Sequence, residues 1–260
     1  MSMLLLQSDW AADHADPDAI IQLVSWVGAG LLGLLVTWFV VRAVLARSRY
    51  AALRVLDGSA KQSIEEAVRR AEAKTVGEIV VVVLERSDRH PGANWLCALV
   101  FLLAGSSLLA GFLPWDRPEL LLGCQLALGG LGYWLARRLP GLQRVFISEA
   151  RATEMAGEQA LQEFYAHKLH RTEAQTGVLI FVSLLEHRVI VLADEGINAK
   201  VDEDDWVHVD DAVLSGIKQD ALADGLCEGV RQAGKQLAEH FPWTEGDRDE
   251  LSNRVVVRAE

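Results

Sequence analysis

Cysteine and positive charge are both scarce in this chain of 260 residues. Its three cysteines, Cys97, Cys124 and Cys227, lie far apart without a Cys-x-x-Cys pair, so the sequence indicates neither a zinc site nor a disulfide framework. The 25 Lys and Arg residues face 36 Asp and Glu residues, which gives a net charge of −11. Because a nucleic-acid binder needs a basic patch for phosphate, this charge argues against that class of protein.

Apolar residues, in contrast, are abundant: they make up 51% of the chain and raise its mean hydropathy to +0.17. Disordered chains are poor in such residues, so disorder of the whole chain is excluded. The excess is concentrated in residues 20–41, 95–113 and 120–135. The first run has 22 residues without a charge, and at about 1.5 Å per residue such a helix spans a hydrocarbon core of roughly 30 Å. We therefore expect it to be a transmembrane helix.

The second and third runs are joined only by residues 114–119, so we expect them to form an antiparallel transmembrane hairpin. Two alternatives are open. The first run could be a signal peptide, but signal peptides begin with basic residues, whereas residues 1–19 contain acidic residues and no Lys or Arg. The hairpin could be a buried helical pair of a soluble protein, although its length favours a membrane.

The positions of basic residues predict the orientation, because short flanking segments rich in Lys and Arg stay in the cytoplasm. The basic flanks of the apolar runs are Arg42, Arg47, Arg49, Arg54, Arg86, Arg89, Arg137, Arg138 and Arg144. We therefore expect a protein of the cytoplasmic (inner) membrane with its N-terminus outside and the segments 42–94 and 136–260 in the cytoplasm.

These patterns divide the chain into six segments: an acidic N-terminal segment (1–19), a transmembrane helix (20–41), the first part of an α/β domain (42–94), a transmembrane helical hairpin (95–135), the second part of the domain (136–241) and an acidic C-terminal tail (242–260). The two parts of the domain are expected to fold together, because one strand and one short helix cannot build a core alone.

Three strands are predicted in this divided domain. Residues 78–84 and 177–184 are runs without polar alternation, which is typical of strands buried on both faces. A tight connection at 186–187 leads to a third strand at 188–193. Residues 158–169 are predicted to form a helix with Leu161, Phe164, Tyr165 and Leu169 facing inward, and two further helices follow the third strand.

Several segments of the predicted domain resemble a known protein family. The phrases at 75–82 (TVGEIVVV) and 176–183 (TGVLIFVS), followed by Arg188-Val189 and the DEGI stretch at 194–197, resemble the TPM-domain family. The likeness covers roughly residues 59–241 and is to a bacterial branch in which a hydrophobic insertion splits the domain after its first strand. It implies a three-layer α/β/α sandwich with a small mixed central sheet, to which the sequence adds three transmembrane helices. Members have been linked to calcium binding, acid phosphatase activity and maintenance of membrane protein complexes, so the resemblance does not select one function.

Carboxylates are expected to meet at one edge of the sheet. If the first two strands are parallel and the third is antiparallel, the end of the third lies beside the starts of the other two. The acidic residues placed there are Glu78, Asp194, Glu195, Asp202, Asp204 and Asp205. Ca²⁺ takes about six to eight oxygen ligands from flexible loops, so a calcium site is predicted at this edge. The alternative is that residues 202–205 are the solvated first turn of a helix, stabilised by its dipole.

Other candidates for chemistry carry less weight. His167 and His170 flank a helix end and His187 lies in a turn, so structural roles are favoured over acid–base catalysis. Ser183 lacks the glycine elbow of a serine nucleophile. Trp206 is interpreted as a core residue rather than a ligand platform.

Two functions from different classes follow. The first is a membrane-anchored interaction or assembly module for a membrane protein complex. From residue 145 onward 11 Lys and Arg residues face 23 Asp and Glu residues, a net charge of 11 − 23 = −12 that suits a basic partner and disfavours docking on anionic lipid. The alternative is a hydrolase, a metal-assisted acid phosphatase, supported by the acidic edge and the family resemblance.

Overall fold

The computed structural model describes residues 17–45, 50–109, 118–246 and 250–259. Most of the acidic N-terminal segment and of the connection at 114–119 therefore lies outside the described residues. The helices in the described ranges are α1 (Pro17–Leu45), α2 (Ala52–Val55), α3 (Gly58–Glu72), α4 (Pro91–Leu109), α5 (Pro118–Arg138), α6 (Pro140–Val145), α7 (Glu149–Ala166), α8 (Glu195–Asn198), α9 (Val207–Lys218) and α10 (Leu222–His240). The strands are β1 (Glu78–Leu84), β2 (Gly177–Ser183), β3 (Arg188–Ala193) and β4 (Val256–Arg258).

The chain divides into two units, and the first consists of residues 1–45 and 91–146. In this unit α4 and α5 pack closely, because glycines let the two backbones approach. A Cβ added to Gly132 would lie 2.7 Å from the Cβ of Phe101, and one added to Gly105 would overlap a methyl group of Leu128. These pairings run in opposite directions along the two helices, so the expected antiparallel hairpin is present.

Two helices in the described part of the chain are long and apolar enough to cross a membrane, α4 and α5. The predicted span at 20–41 lies within α1, a helix of 29 residues. The part of α1 from Gly33 to Leu45 is apolar but shorter than a membrane span. The structure thus provides two candidate spans, and the third stays a prediction.

The second unit, residues 46–90 and 147–260, is an α/β domain around a mixed sheet with the strand order β3-β2-β1-β4. β1 is parallel to β2 and to β4, whereas β2 and β3 are antiparallel, as their short connection predicts. Every residue of β1 and β2 is buried, which confirms the interpretation of these runs as strands covered on both faces.

Each face of the sheet packs against its own apolar cluster. Alternate residues such as Val81 and Ile180 belong to a large core with residues of α3, α9 and α10. Their neighbours in sequence, such as Val82 and Phe181, pack with α7. This alternation follows from the period of two in a strand. Trp206 is buried in the larger core, in agreement with the role expected for it.

Two details of the helices differ from the predictions. α7 begins at Glu149, and its buried face includes Ala156, Ala160 and Phe164, while Leu161 and Tyr165 are exposed. The small alanine side chains allow the helix to lie close to the sheet, so its large apolar residues do not all lie on the buried face. α3 begins at Gly58, because the Asp57 carboxylate accepts the Ala60 N–H at 2.7 Å and caps the helix there.

Candidate functional site

The amino edge of the sheet holds the first two predicted site residues. Glu78 begins β1 and pairs with Gly177 of β2, and Asp194, which follows β3, donates its N–H to the Gly177 carbonyl at 2.9 Å. Glu78 and Asp194 therefore lie on either side of the same glycine, both buried. The expected meeting of these strand ends is confirmed.

Both carboxylates already accept backbone hydrogen bonds. Glu78 Oε1 accepts the Glu250 N–H at 3.0 Å. Asp194 caps α8, since its Oδ1 accepts the Glu195 N–H at 2.9 Å. Its second oxygen, Oδ2, is screened from solvent and has no hydrogen-bond partner among the described residues. A buried acceptor without a partner is costly, so a bound cation or donor would stabilise Asp194 at this oxygen.

The remaining predicted residues lie on the turns that follow. Glu195 is exposed in the first turn of α8, and Asp204 is exposed in a short 3-10 turn, Glu203–Trp206. Asp205 accepts the Asp202 N–H at 3.1 Å, a hydrogen bond typical of a capping box. Within residues 17–45, 50–109, 118–246 and 250–259, no three His, Cys, Asp or Glu side chains converge as a metal-binding group.

A second polar cluster lies at the opposite, carboxyl edge of the sheet. Glu186 in the β2–β3 turn is completely buried, as is Ser183 at the end of β2. One carboxylate oxygen of Glu186 accepts the Ser183 hydroxyl. The other lies 2.6 Å from His90 Nε2 and accepts the Ser87 N–H at 3.1 Å. The carboxylate of Glu186 thus has three donors, one from Ser183 nearby in sequence and two from the distant segment 87–90.

These donors set the ionisation of Glu186. Burial alone would raise the pKa of its carboxyl group, but the hydrogen bonds from His90, Ser183 and the Ser87 N–H outweigh burial and lower the pKa. Glu186 is therefore a stable buried carboxylate at neutral pH.

The order of the three side chains decides what this cluster can do. In a serine nucleophile triad the imidazole lies between the hydroxyl and the carboxylate, so that it can take the hydroxyl proton. Here the carboxylate lies between Ser183 and His90. The cluster therefore fixes the β2–β3 turn and the segment around residues 87–90 in place. Ser183 does not contact the imidazole in it, so the geometry does not activate this hydroxyl as a nucleophile.

Sequence reasoning missed Glu186 because the residue stands in a turn, where acidic residues are ordinarily solvated. A signal was nevertheless present. The turn joins two apolar strands and follows Leu184 and Leu185. A carboxylate at this position is therefore expected to lie close to the core and to need hydrogen-bond donors.

Asp210 is another carboxyl group that the sequence did not single out. Burial, and to a smaller extent the charge of Asp211, raises the pKa of this carboxyl group to about 6. Its Oδ1 is screened from solvent and has no hydrogen-bond partner within the part of the chain that the structure describes.

Comparison with known proteins supports the fold and not an activity. No family model matches the chain, and no curated protein matches it. Among solved structures, the chain is similar to the BA42 protein of the psychrophilic bacterium Bizionia argentinensis, determined by NMR, with 24% identity and a TM-score of 0.50. The likeness covers 78% of this chain and 95% of BA42. At this identity the similarity concerns the fold alone.

Proposed function

We propose that the chain is an integral membrane protein whose α/β domain is an interaction module for a membrane protein complex. The observation that carries this proposal is the surface of α4 and α5. Large apolar side chains point outward along both helices, among them Trp95, Leu103 and Leu126, the last with 73% of its surface exposed. Such a surface is costly in water and suited to lipid.

The finer architecture belongs to the same proposal. α1 is a third span, and the domain is a three-layer α/β/α sandwich of the TPM type. The separate apolar clusters on the two faces of the sheet support the layering. The basic residues that flank the spans support an inner-membrane protein with its N-terminus outside and its domain in the cytoplasm.

Crosslinking in sealed membranes tests this function and the topology together. A membrane-impermeant crosslinker should capture a membrane-protein partner in inverted inner-membrane vesicles and not in intact spheroplasts, because only inverted vesicles expose the cytoplasmic face. Capture should fall as salt is raised, since an acidic domain binds a basic partner. The product is identified by mass spectrometry. Equal capture by a chain with an unfolded domain would contradict a role for the domain.

Calcium binding at the amino edge is proposed as part of this module, because Asp194 Oδ2 is buried without a hydrogen-bond partner in the described chain. A bound ion stabilises the native state, by about 2.7 kcal/mol at one hundred times its Kd. We expect millimolar Ca²⁺ in 0.15 M salt to raise the Tm of the full chain in detergent by several degrees.

The Asp194→Asn, Asp204→Asn double variant should lose this gain. Asn is as good a helix cap as Asp, so the variant keeps α8. Choline chloride at matched ionic strength controls for screening. Equal Ca²⁺ shifts in the wild type and the double variant would show screening alone. The alternative function, a metal-assisted phosphatase, stays a prediction.

A further inference from the structure

A cavity of about 360 Å³ opens at the carboxyl ends of the parallel strands β1 and β4. It is formed where the last residues of the two strands, Leu84 and Arg258, pair with each other. In open α/β sheets, ligands bind in the crevice beyond the carboxyl ends of the strands, and this volume suits a small ligand or headgroup. The lining consists of Leu84, Arg86, Ser87, Asp88, Arg89, Gln159 and Arg258.

The charge of the lining is opposite to that of the protein. Three arginines line the cavity against one aspartate, in a chain whose net charge is −11. The Asp88 carboxylate lies 3.6 Å from an Arg151 nitrogen, so its charge is partly compensated from outside the cavity. The lining therefore favours an anion with more than one negative charge.

The guanidinium groups of the lining suit such an anion. Arg258 is held by Glu163 through one terminal nitrogen, which leaves further N–H groups of the same guanidinium. Arg86 and Arg89 make interactions of their own within the protein. Each guanidinium nevertheless has five N–H donors in a planar fork that matches the oxygens of phosphate.

The loop that carries the lining is held in a fixed position. The Glu85 carboxylate accepts the Ala52 N–H at 3.0 Å, and Glu186 accepts the Ser87 N–H at 3.1 Å and contacts His90 at 2.6 Å. Ser87 lines the cavity, and its Oγ is screened from solvent with no hydrogen-bond partner among the residues described. The protein leaves this hydroxyl unsatisfied, and a rotation of the Ser87 side chain, without a rearrangement of the loop backbone, would turn it to a ligand oxygen.

From the three arginines, the unsatisfied Ser87 hydroxyl and the fixed loop, we propose that this cavity binds a phosphate group. A phosphate monoester carries a charge of about −1.5 to −2 at neutral pH, and the arginines of the lining attract such an anion. The role of the buried Glu186 cluster is then to keep the phosphate-binding loop in its binding conformation.

The phosphate can come from a soluble molecule or from a lipid headgroup. Arg89 stands two residues before Pro91, where α4 begins. If α4 crosses the bilayer as proposed above, this part of the loop is close in sequence to the headgroup region. The lipid source rests on the proposed function, whereas phosphate binding itself does not.

Equilibrium dialysis of the full chain with radiolabelled inorganic phosphate tests the site. In nanodiscs of neutral phosphatidylcholine, we expect saturable binding of one phosphate per chain. Arg89→Gln and Ser87→Ala should each weaken it at least fivefold, and Arg86→Gln by a similar factor. Arg171→Gln, which removes an exposed charge that does not line the cavity, should leave the Kd unchanged.

A second arm uses nanodiscs with 20% phosphatidic acid. Weaker phosphate binding by the wild type there, with no such effect of phosphatidylserine at equal charge, identifies a lipid headgroup as the occupant. An unchanged Kd identifies a soluble phosphate. Absence of saturable binding in neutral nanodiscs, or equal Kd values for wild type and Arg89→Gln with retained Tm, would overturn the proposal and leave the membrane function untouched.

Discussion

Val81→Asp is expected to unfold the α/β domain. Val81 lies in the middle of β1, pairs with Ile180 of β2 and is 1% exposed in the larger core. A charged carboxylate without a partner at such a position costs several kcal/mol, because it loses its hydration. Since a domain is stable by only about 5–15 kcal/mol, we expect the domain to lose its resistance to limited proteolysis at 25 °C.

The matched control is Val207→Asp. Val207 is 47% exposed and begins α9, where the helix dipole favours an acidic residue. The domain of the Val207→Asp variant should stay as resistant to limited proteolysis as that of the wild type. Because β1 comes from the first part of the divided domain, the prediction also tests how the parts cooperate. If residues 147–259 stay protease-resistant in Val81→Asp, the second part folds without β1 and the single sheet is not a cooperative unit.

The strands were predictable because burial on both faces leaves a direct mark on the sequence. Residues 79–84 of β1 and 177–182 of β2 are unbroken apolar runs, and the connection between β2 and β3 is too short for a crossover, so it requires an antiparallel pair. The buried face of α7 was not predictable in the same way. Its contacts with the sheet are made by alanines and Phe164, and alanine is common on both faces of any helix.

The candidate sites show a different limit. Asp194 and Asp205 were singled out as acidic residues in loops, and the structure gives both of them capping hydrogen bonds. Metal sites and helix caps use the same side chains at similar spacings, so the sequence cannot separate the two roles. The cavity at the carboxyl edge was missed for another reason. Arg86 and Arg258 are 172 residues apart, and only the parallel pairing of β1 with β4 brings their neighbourhoods together.

The Arg258 contact also shows how charge is balanced in the domain. Glu163 is almost fully buried, so burial would raise the pKa of its carboxyl group. The His167 ring, whose Nε2 lies 3.3 Å from a Glu163 oxygen, and the nearby Arg258 charge outweigh burial and lower the pKa. Glu163 is thus ionised and holds Arg258 at the cavity, in the same way as Glu186 holds the loop beside it.

Glu186→Ala is expected to destabilise the domain by about 3–5 kcal/mol, the usual cost of removing one partner from a buried charged network. The substitution leaves the Ser183 hydroxyl, the His90 ring and the Ser87 N–H without their shared acceptor in a site with no solvent access. Pulse proteolysis of the full chain in urea measures the loss. Glu154→Ala, which removes an exposed carboxylate paired with Arg151, should cost less than about 1 kcal/mol.

The pH dependence separates the charge of Glu186 from its packing. Because folding lowers the pKa of this carboxyl group, its stabilisation is complete above the pKa of an unfolded Glu, about 4.3. The stabilisation is lost as the pH falls from that value through the lower pKa of the folded state. Glu186→Gln keeps the side-chain volume and cannot ionise, so the difference in stability between wild type and this variant should shrink as the pH falls below 4.3. A difference that stays constant down to pH 3 would mean that Glu186 acts by shape alone, and its donors would then not require a charged acceptor.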